Sequence, residues 1–170
     1  KNSKLILIEK FLNKTSSNSN IINYFELEEG STVLHLVIQN NTNESNMQFT
    51  THATCHQNSI FNQIIFNTSD ISIRNHHYAN LIGEYSEANL KGIFFGGKKQ
   101  IIDNKTEINH FNHSCSSNQI YKGILTDQAK ASYLSKTFVD KQAQKTDGYQ
   151  LSKGIILPKE AYFHSKPELK

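Results

Sequence analysis

The chain has 170 residues, 36% of them hydrophobic, which is enough for one domain with a real core. The net charge is +3 and Arg74 is the one arginine, so the bidentate phosphate and base contacts of a nucleic-acid binder have almost no residue to make them. Cys55 and Cys115 are too few for a disulfide framework, and no apolar run reaches the roughly 18 residues of a membrane span, so a soluble, cytoplasmic protein is expected.

Along the chain, short apolar runs rich in Ile, Val, Phe and Tyr alternate with polar corners, and long amphipathic helical periodicity is hard to find. Residues 4–8 read as a largely buried strand. Residues 13–20 hold no apolar side chain and read as a loop. Strands follow at 21–27 and 32–38, then a second polar loop at 40–46. The series continues at 47–54, 60–66, 71–75, 78–85 and 90–95, where Gly96-Gly97 interrupts it before 100–102.

The corners share a form: one or two polar residues, then a small residue, then the next strand. Leu27-Glu-Glu-Gly-Ser31, Tyr85-Ser-Glu-Ala88, Leu125-Thr-Asp-Gln-Ala129, Val139-Asp-Lys-Gln-Ala143 and Leu157-Pro-Lys-Glu-Ala161 show it, with Ser59 as a sixth case. The small residues at 31, 59, 88, 129, 143 and 161 are separated by steps of 28, 29, 41, 14 and 18. Most are near one or two multiples of about 14, and the step of 41 suggests three units. A strand-plus-corner repeat without helices fits an all-β β-solenoid whose rungs stack their apolar faces. A sandwich or barrel of many short strands fits as well. Asp147-Gly148 is the one hairpin-type turn dipeptide, which favours the solenoid.

His110, His113 and Cys115 form the tightest group of soft metal ligands, within the stretch 103–127. On one strand His113 and Cys115 would share a face while His110 points away, and a structural zinc would need a fourth ligand from another rung or chain. His52, Cys55 and His56 make a second group. His76-His77 is a third, its side chains facing opposite ways on a strand. Surface histidines and buried free thiols are the simpler reading of all three. No nucleophile elbow or glycine-rich phosphate loop is present. The acids Asp103, Glu107, Asp127, Asp140 and Asp147 leave open a carbohydrate-active β-helical enzyme. Three converging histidines would make a metal-binding β-barrel of cupin type.

The blocks from Gln100 to His110, Ser117 to Asp127, Ala143 to Gln150 and Lys166 to Leu169, in that order, resemble the SufB/SufD family of iron–sulfur cluster assembly proteins. The Tyr121-Lys-Gly-Ile-Leu125 block is closer to SufD. Residues 27–34 and 87–96 match the family more loosely. The resemblance implies a right-handed parallel β-helix and a non-catalytic scaffold, working with SufB and the ATPase SufC in the SufBCD complex. Residues 1–170 would be its single β-helical core domain, with the family's N-terminal and C-terminal helical regions outside them. It further implies pairing with SufB through the C-terminal end of the β-helix, with a homodimer by the same end in isolation. SufC would be bound through helices beyond that end. No cofactor is expected in this segment, the nascent cluster belonging to the complex. The family's cluster-site histidine lies in a Cys-Ser-His-Gly block downstream of Lys166-Pro-Glu-Leu169. The family usually has proline where His113 stands, so no catalytic, cofactor or metal residue is carried onto this chain.

Overall fold

A computed structural model describes residues 1–12, 18–40 and 46–170. They form twelve strands: β1 Lys4–Phe11, β2 Ser19–Leu27, β3 Thr32–Gln39, β4 Asn46–Cys55, β5 Ile60–Asn67, β6 Ser72–Leu81, β7 Glu87–Gly96, β8 Ile101–His110, β9 Ser116–Leu125, β10 Lys130–Val139, β11 Asp147–Ile156 and β12 Tyr162–Leu169. Odd strands stack in one parallel sheet, sheet A, and even strands in the other, sheet B. The chain is therefore a β-solenoid with two strands per coil. One coil takes between 26 residues (Asn46 to Ser72) and 32 (Lys130 to Tyr162). The sequence repeat of about 14 is half of a coil.

Most expected strands are present with longer bounds. The runs 71–75 and 78–81 are one strand, β6, because His76-His77 continues the alternation, His76 outward and His77 inward, whereas residues 82–85 of the second expected run form the next corner. The step of 41 does correspond to three strand-and-corner units, β7, β8 and β9 with the corners that follow them, which start just after Ser86, Gln100 and Cys115 and run to Ala129. The small corner residue there is Ser86, whereas Ala88 lies inside β7. Ser19 and Asn20 belong to β2, and Asn46 to β4, rather than to the polar loops; residues 13–17 and 41–45 of those loops lie outside the described residues.

Four of the five described corners from sheet B to sheet A place one residue in the left-handed region immediately before an inward small residue; in the fifth, Lys145 (φ 58°) follows the inward Ala143 instead. Gly30 (φ 68°), Asn58 (φ 56°), Tyr85 (φ 57°) and Ser114 (φ 57°) precede Ser31, Ser59, Ser86 and Cys115. That conformation costs a side chain about 1 kcal/mol or more. The amide it reorients donates along the stack to the next corner: Gly30 to the Gln57 carbonyl (3.0 Å), Asn58 to Glu84 (3.0 Å), and Ser114 to Gln144 (2.9 Å). A row of otherwise unpaired turn amides thus becomes a continuation of the sheet.

Apolar side chains fill the two ends of the flattened cross-section. Leu27, Val33, Cys55, Phe61 and Leu81 lie toward the corners just described, and Val37, Met47, Phe49 and Ile65 toward the opposite ones. Between β7 and β9 the packing is reciprocal. Gly92 is in register with Tyr121, and Phe94 with Gly123. A Cβ on Gly92 would come within 2.3 Å of Tyr121, and one on Gly123 within 2.0 Å of Phe94. Each ring needs the missing side chain of its neighbour. Gly123→Ala should therefore destabilise the fold by about 1–3 kcal/mol through overpacking. Adding Phe94→Leu should recover part of that loss in thermal melts, and a double variant no better than the single one would refute the reciprocal fit.

Candidate functional site

The candidate ligands of the stretch 103–127 do not converge. His110 ends β8 facing inward, fully buried, and its Nε2 pairs with the Ser117 hydroxyl at 2.9 Å. Burial lowers its pKa from the ordinary value, and nearby Asp147 opposes that shift. His113 lies in the corner rather than on a strand, and points outward to Glu84 (3.2 Å). Cys115 turns the other way, buried, with its thiol donating to the Gly83 carbonyl (3.3 Å) beside the Ser86 hydroxyl (3.4 Å). The expectation that His113 and Cys115 share a face fails because a left-handed residue, Ser114, stands between them. Cys115 instead occupies the corner position held by Ser31, Ser59 and Ser86 in earlier coils, as a small inward residue.

The other groups disperse as well. His52 stacks on the outer face of sheet B between Tyr24 (5.1 Å) and Tyr78 (4.8 Å), and His56 pairs with Glu26 in a corner. Cys55 faces the core, where burial pushes its thiol up to about 12. Among the described residues, no three His, Cys, Asp or Glu side chains gather as a metal site. The acids are likewise apart. Asp103 and Glu107 are on one face of β8 but four residues from each other, roughly 13 Å, beyond the span of a glycosidase pair. Each has a basic partner, Asp103 with Arg74 (3.3 Å) and Glu107 with Lys136 (3.4 Å). Asp127 accepts from the Lys98 amide (2.8 Å), which holds its carboxyl below the usual range, and Asp140 accepts from the Gln142 amide (3.0 Å). The parallel solenoid also rules out a cupin barrel.

What the sequence reading missed is a polar spine along the solenoid axis. Glu9 accepts from His35 Nε2 (2.6 Å) and Asn23 (2.7 Å), and His35 Nδ1 accepts from Gln63 (3.1 Å), whose amide also donates to Thr51 (2.8 Å). Further along, Thr106 donates to Gln119. Gln119 donates to Thr137 (2.9 Å), which also accepts from Gln150 (2.6 Å). Between these two networks sits His77, completely buried, with neither ring nitrogen hydrogen-bonded. Desolvation, with minor repulsion from His35 and His76, lowers its pKa to about 3. The spine's sheet A members, His35, Gln63, Gln119 and Gln150, occupy one register column that β7 fills with Leu90. That column recurs about once per coil, so only the coil repeat could have revealed it.

A family model described as the SUF system FeS cluster assembly SufBD core domain matches residues 1–170. The chain belongs to the SufBD core family. Among curated proteins it is similar to the iron–sulfur cluster assembly protein SufD of Escherichia coli, 28% identical over 97 residues, 57% of this chain and 23% of that protein. It is also similar to a SufBD family protein of Synechocystis sp., 24% identical over 151 residues, 89% of this chain and 33% of that one. A Mycobacterium bovis member is 26% identical over 94 residues, 51% of this chain and 24% of the relative. The aligned region thus spans a quarter to a third of these relatives, and it is β-solenoid throughout the described residues.

Two outcomes test this assignment of the SufBD core side chains. Cys115→Ser should fold with a melting temperature within a few degrees of the parent, a change of under about 1 kcal/mol, because serine already fills this place in three coils. A collapse of the fold on this substitution would show the thiol doing more than filling space. The second outcome concerns His77, whose pKa of about 3 is below the ordinary 6.5, so protons favour the unfolded chain. Its contribution is full above pH 6.5 and declines as pH falls toward 3, by up to about 1.4 kcal/mol per pH unit. Burial shifts His35 and His110 the same way. In urea unfolding, His77→Asn should lose less stability between pH 7 and pH 4.5 than the parent; parallel losses would overturn the role of His77.

Proposed function

We propose that the chain acts as a scaffold in iron–sulfur cluster assembly in the cytoplasm, as a SufD-like subunit paired with SufB and served by the ATPase SufC. The single observation that carries this reading is the match of the SufBD core across all 170 residues of a parallel β-solenoid. The similarity to the E. coli protein named SufD supports the SufD branch. A scaffold without catalysis of its own is consistent with a chain whose acids are held in ion pairs and corners and whose histidines are dispersed. In this reading residues 1–170 are one β-helical domain and hold no cofactor of their own. The nascent cluster is cargo of the complex.

Pairing is assigned to the outer edge of the last coil. Among the described residues β11 and β12 each bond one neighbouring strand, and their outer backbone donors and acceptors are of the kind that recruits another strand. Tyr149, Ile155 and Tyr162 are exposed beside it. In isolation the same edge would pair with its own copy. Size-exclusion chromatography of the chain mixed with SufB and SufC should show co-elution with SufB. Sedimentation at tens of micromolar should show a dimer in the absence of SufB. Separate elution would sink the SufB pairing, and a strict monomer would sink self-pairing through the edge.

A further inference from the structure

The two outer faces of the solenoid differ in a way that neither the fold nor the assembly role requires. On sheet B most outward charges meet an opposite charge. Arg74 meets Asp103 (3.3 Å), Lys136 meets Glu107 (3.4 Å), Lys166 meets Glu168 (2.6 Å), and Lys105 lies over the Tyr78 ring (5.7 Å). On sheet A the outward positions are largely apolar. Leu36 and Ile38 on β3, Ile64 and Phe66 on β5, and Ile93 and Phe95 on β7 form a stripe. Register places Leu36 beside Ile64, Ile38 beside Phe66, and Phe66 beside Ile93, so the stripe crosses the strands obliquely. Among the described residues nothing covers it: Phe66, Ile93 and Phe95 remain 39%, 37% and 43% exposed.

Three lysines flank this stripe. Lys91 is in register with Ile64, Lys122 with Ile93, and Lys153 with Lys122. None has an ion-pair partner among the described residues. The acids of this face, Glu87 and Asp147, stand at the first positions of β7 and β11, and Glu87 is already engaged by the Asn89 amide (2.6 Å). Exposed cations next to an uncovered apolar stripe specify a partner that brings apolar side chains and negative charge together. A second copy of this face would set lysine against lysine.

We propose that the outer face of sheet A is a docking surface for an amphipathic α-helix whose apolar stripe is flanked by Asp and Glu. The dimensions suit one helix. Two outward residues along a strand, with their side chains, cover a width of about 10 Å, the diameter of an α-helix. The three strands of the stripe span about 10 Å at about 4.8 Å spacing, and the whole six-strand face spans about 24 Å, which takes about 16 helical residues. A planar bilayer would have no reason to follow so narrow and oblique a band. This surface is a sheet face that adjoins the strand edge of the last coil at β11, and the proposal does not depend on the assembly reading.

The test is fluorescence anisotropy with a labelled amphipathic peptide of about 18 residues whose leucine stripe is flanked by glutamates, set against the same peptide with lysines in their place. The glutamate peptide should bind saturably and better than the lysine peptide. Phe66→Asn should weaken it by at least about tenfold with unchanged circular dichroism and melting temperature. Lys91→Glu combined with Lys122→Glu should reverse the preference between the two peptides. Absence of binding, or equal affinity for both peptides, would overturn the proposal. So would vesicles of phosphatidylglycerol and phosphatidylcholine that bind the chain and lose that binding with Phe66→Asn. A dimer that dissociates on Phe66→Asn would assign the face to self-association and overturn it as well.

Discussion

The corner amide that points along the stack is the interaction on which the rest of this solenoid depends. A parallel coil must turn sharply between its sheets, and each turn exposes backbone donors that no strand can satisfy. Placing one residue in the left-handed region redirects its amide to the carbonyl of the next corner, as from Asn58 to Glu84. The following residue then points inward, where neighbouring corners leave little room. Serine, or a thiol in Cys115, fits there and donates to a carbonyl of the stack. Tyr85 adopts the same conformation without the tolerance of glycine or asparagine, and its amide reaches the His113 carbonyl at 3.4 Å.

With the corners fixed, the interior has constant register, and equivalent positions of successive strands lie side by side. Apolar columns give the two core regions. Polar columns give the spine of Glu9, His35, Gln63, Thr51, Thr106 and Gln119, where each amide or hydroxyl finds a partner on the same or an adjacent coil. Buried polar groups in such ladders set register strictly, since a slip of one residue would strand them without partners. Among the described residues neither ring nitrogen of His77 nor the side-chain oxygen of Gln63 has a hydrogen-bond partner, and burial keeps His77 neutral. The reciprocal pairs Gly92–Tyr121 and Phe94–Gly123 reflect the same fixed register, because a ring can rely on a missing side chain only where the neighbour never shifts.

The outer faces divide the remaining work. Sheet B carries paired charges and a stacked Tyr24–His52–Tyr78 ladder, interactions completed within the chain. Sheet A carries an uncovered apolar stripe beside lysines that nothing in the described chain neutralises. The contrast between satisfied and unsatisfied chemistry separates a face that is finished from one suited to contact.

Sequence by itself determined the class and the repeat. Alternating apolar residues, corners ending in small residues and steps near 14 suffice for a series of short strands, because strand periodicity and turn chemistry are local, but on that pattern a sandwich or barrel fits as well as a solenoid. The family blocks after Gln100 pointed to the assembly system, and the family match across the chain agrees. Tertiary structure alone decided which residues meet. His110, His113 and Cys115 look like one ligand group over six residues, yet a single left-handed residue, Ser114, sends the imidazole of His113 to solvent and the thiol of Cys115 to the core. Likewise Glu9, His35 and Gln63, separated by about one coil, become neighbours only when the coils stack. Contacts at a separation of 26 to 28 residues are set by register between coils, and no local pattern in the chain encodes that register.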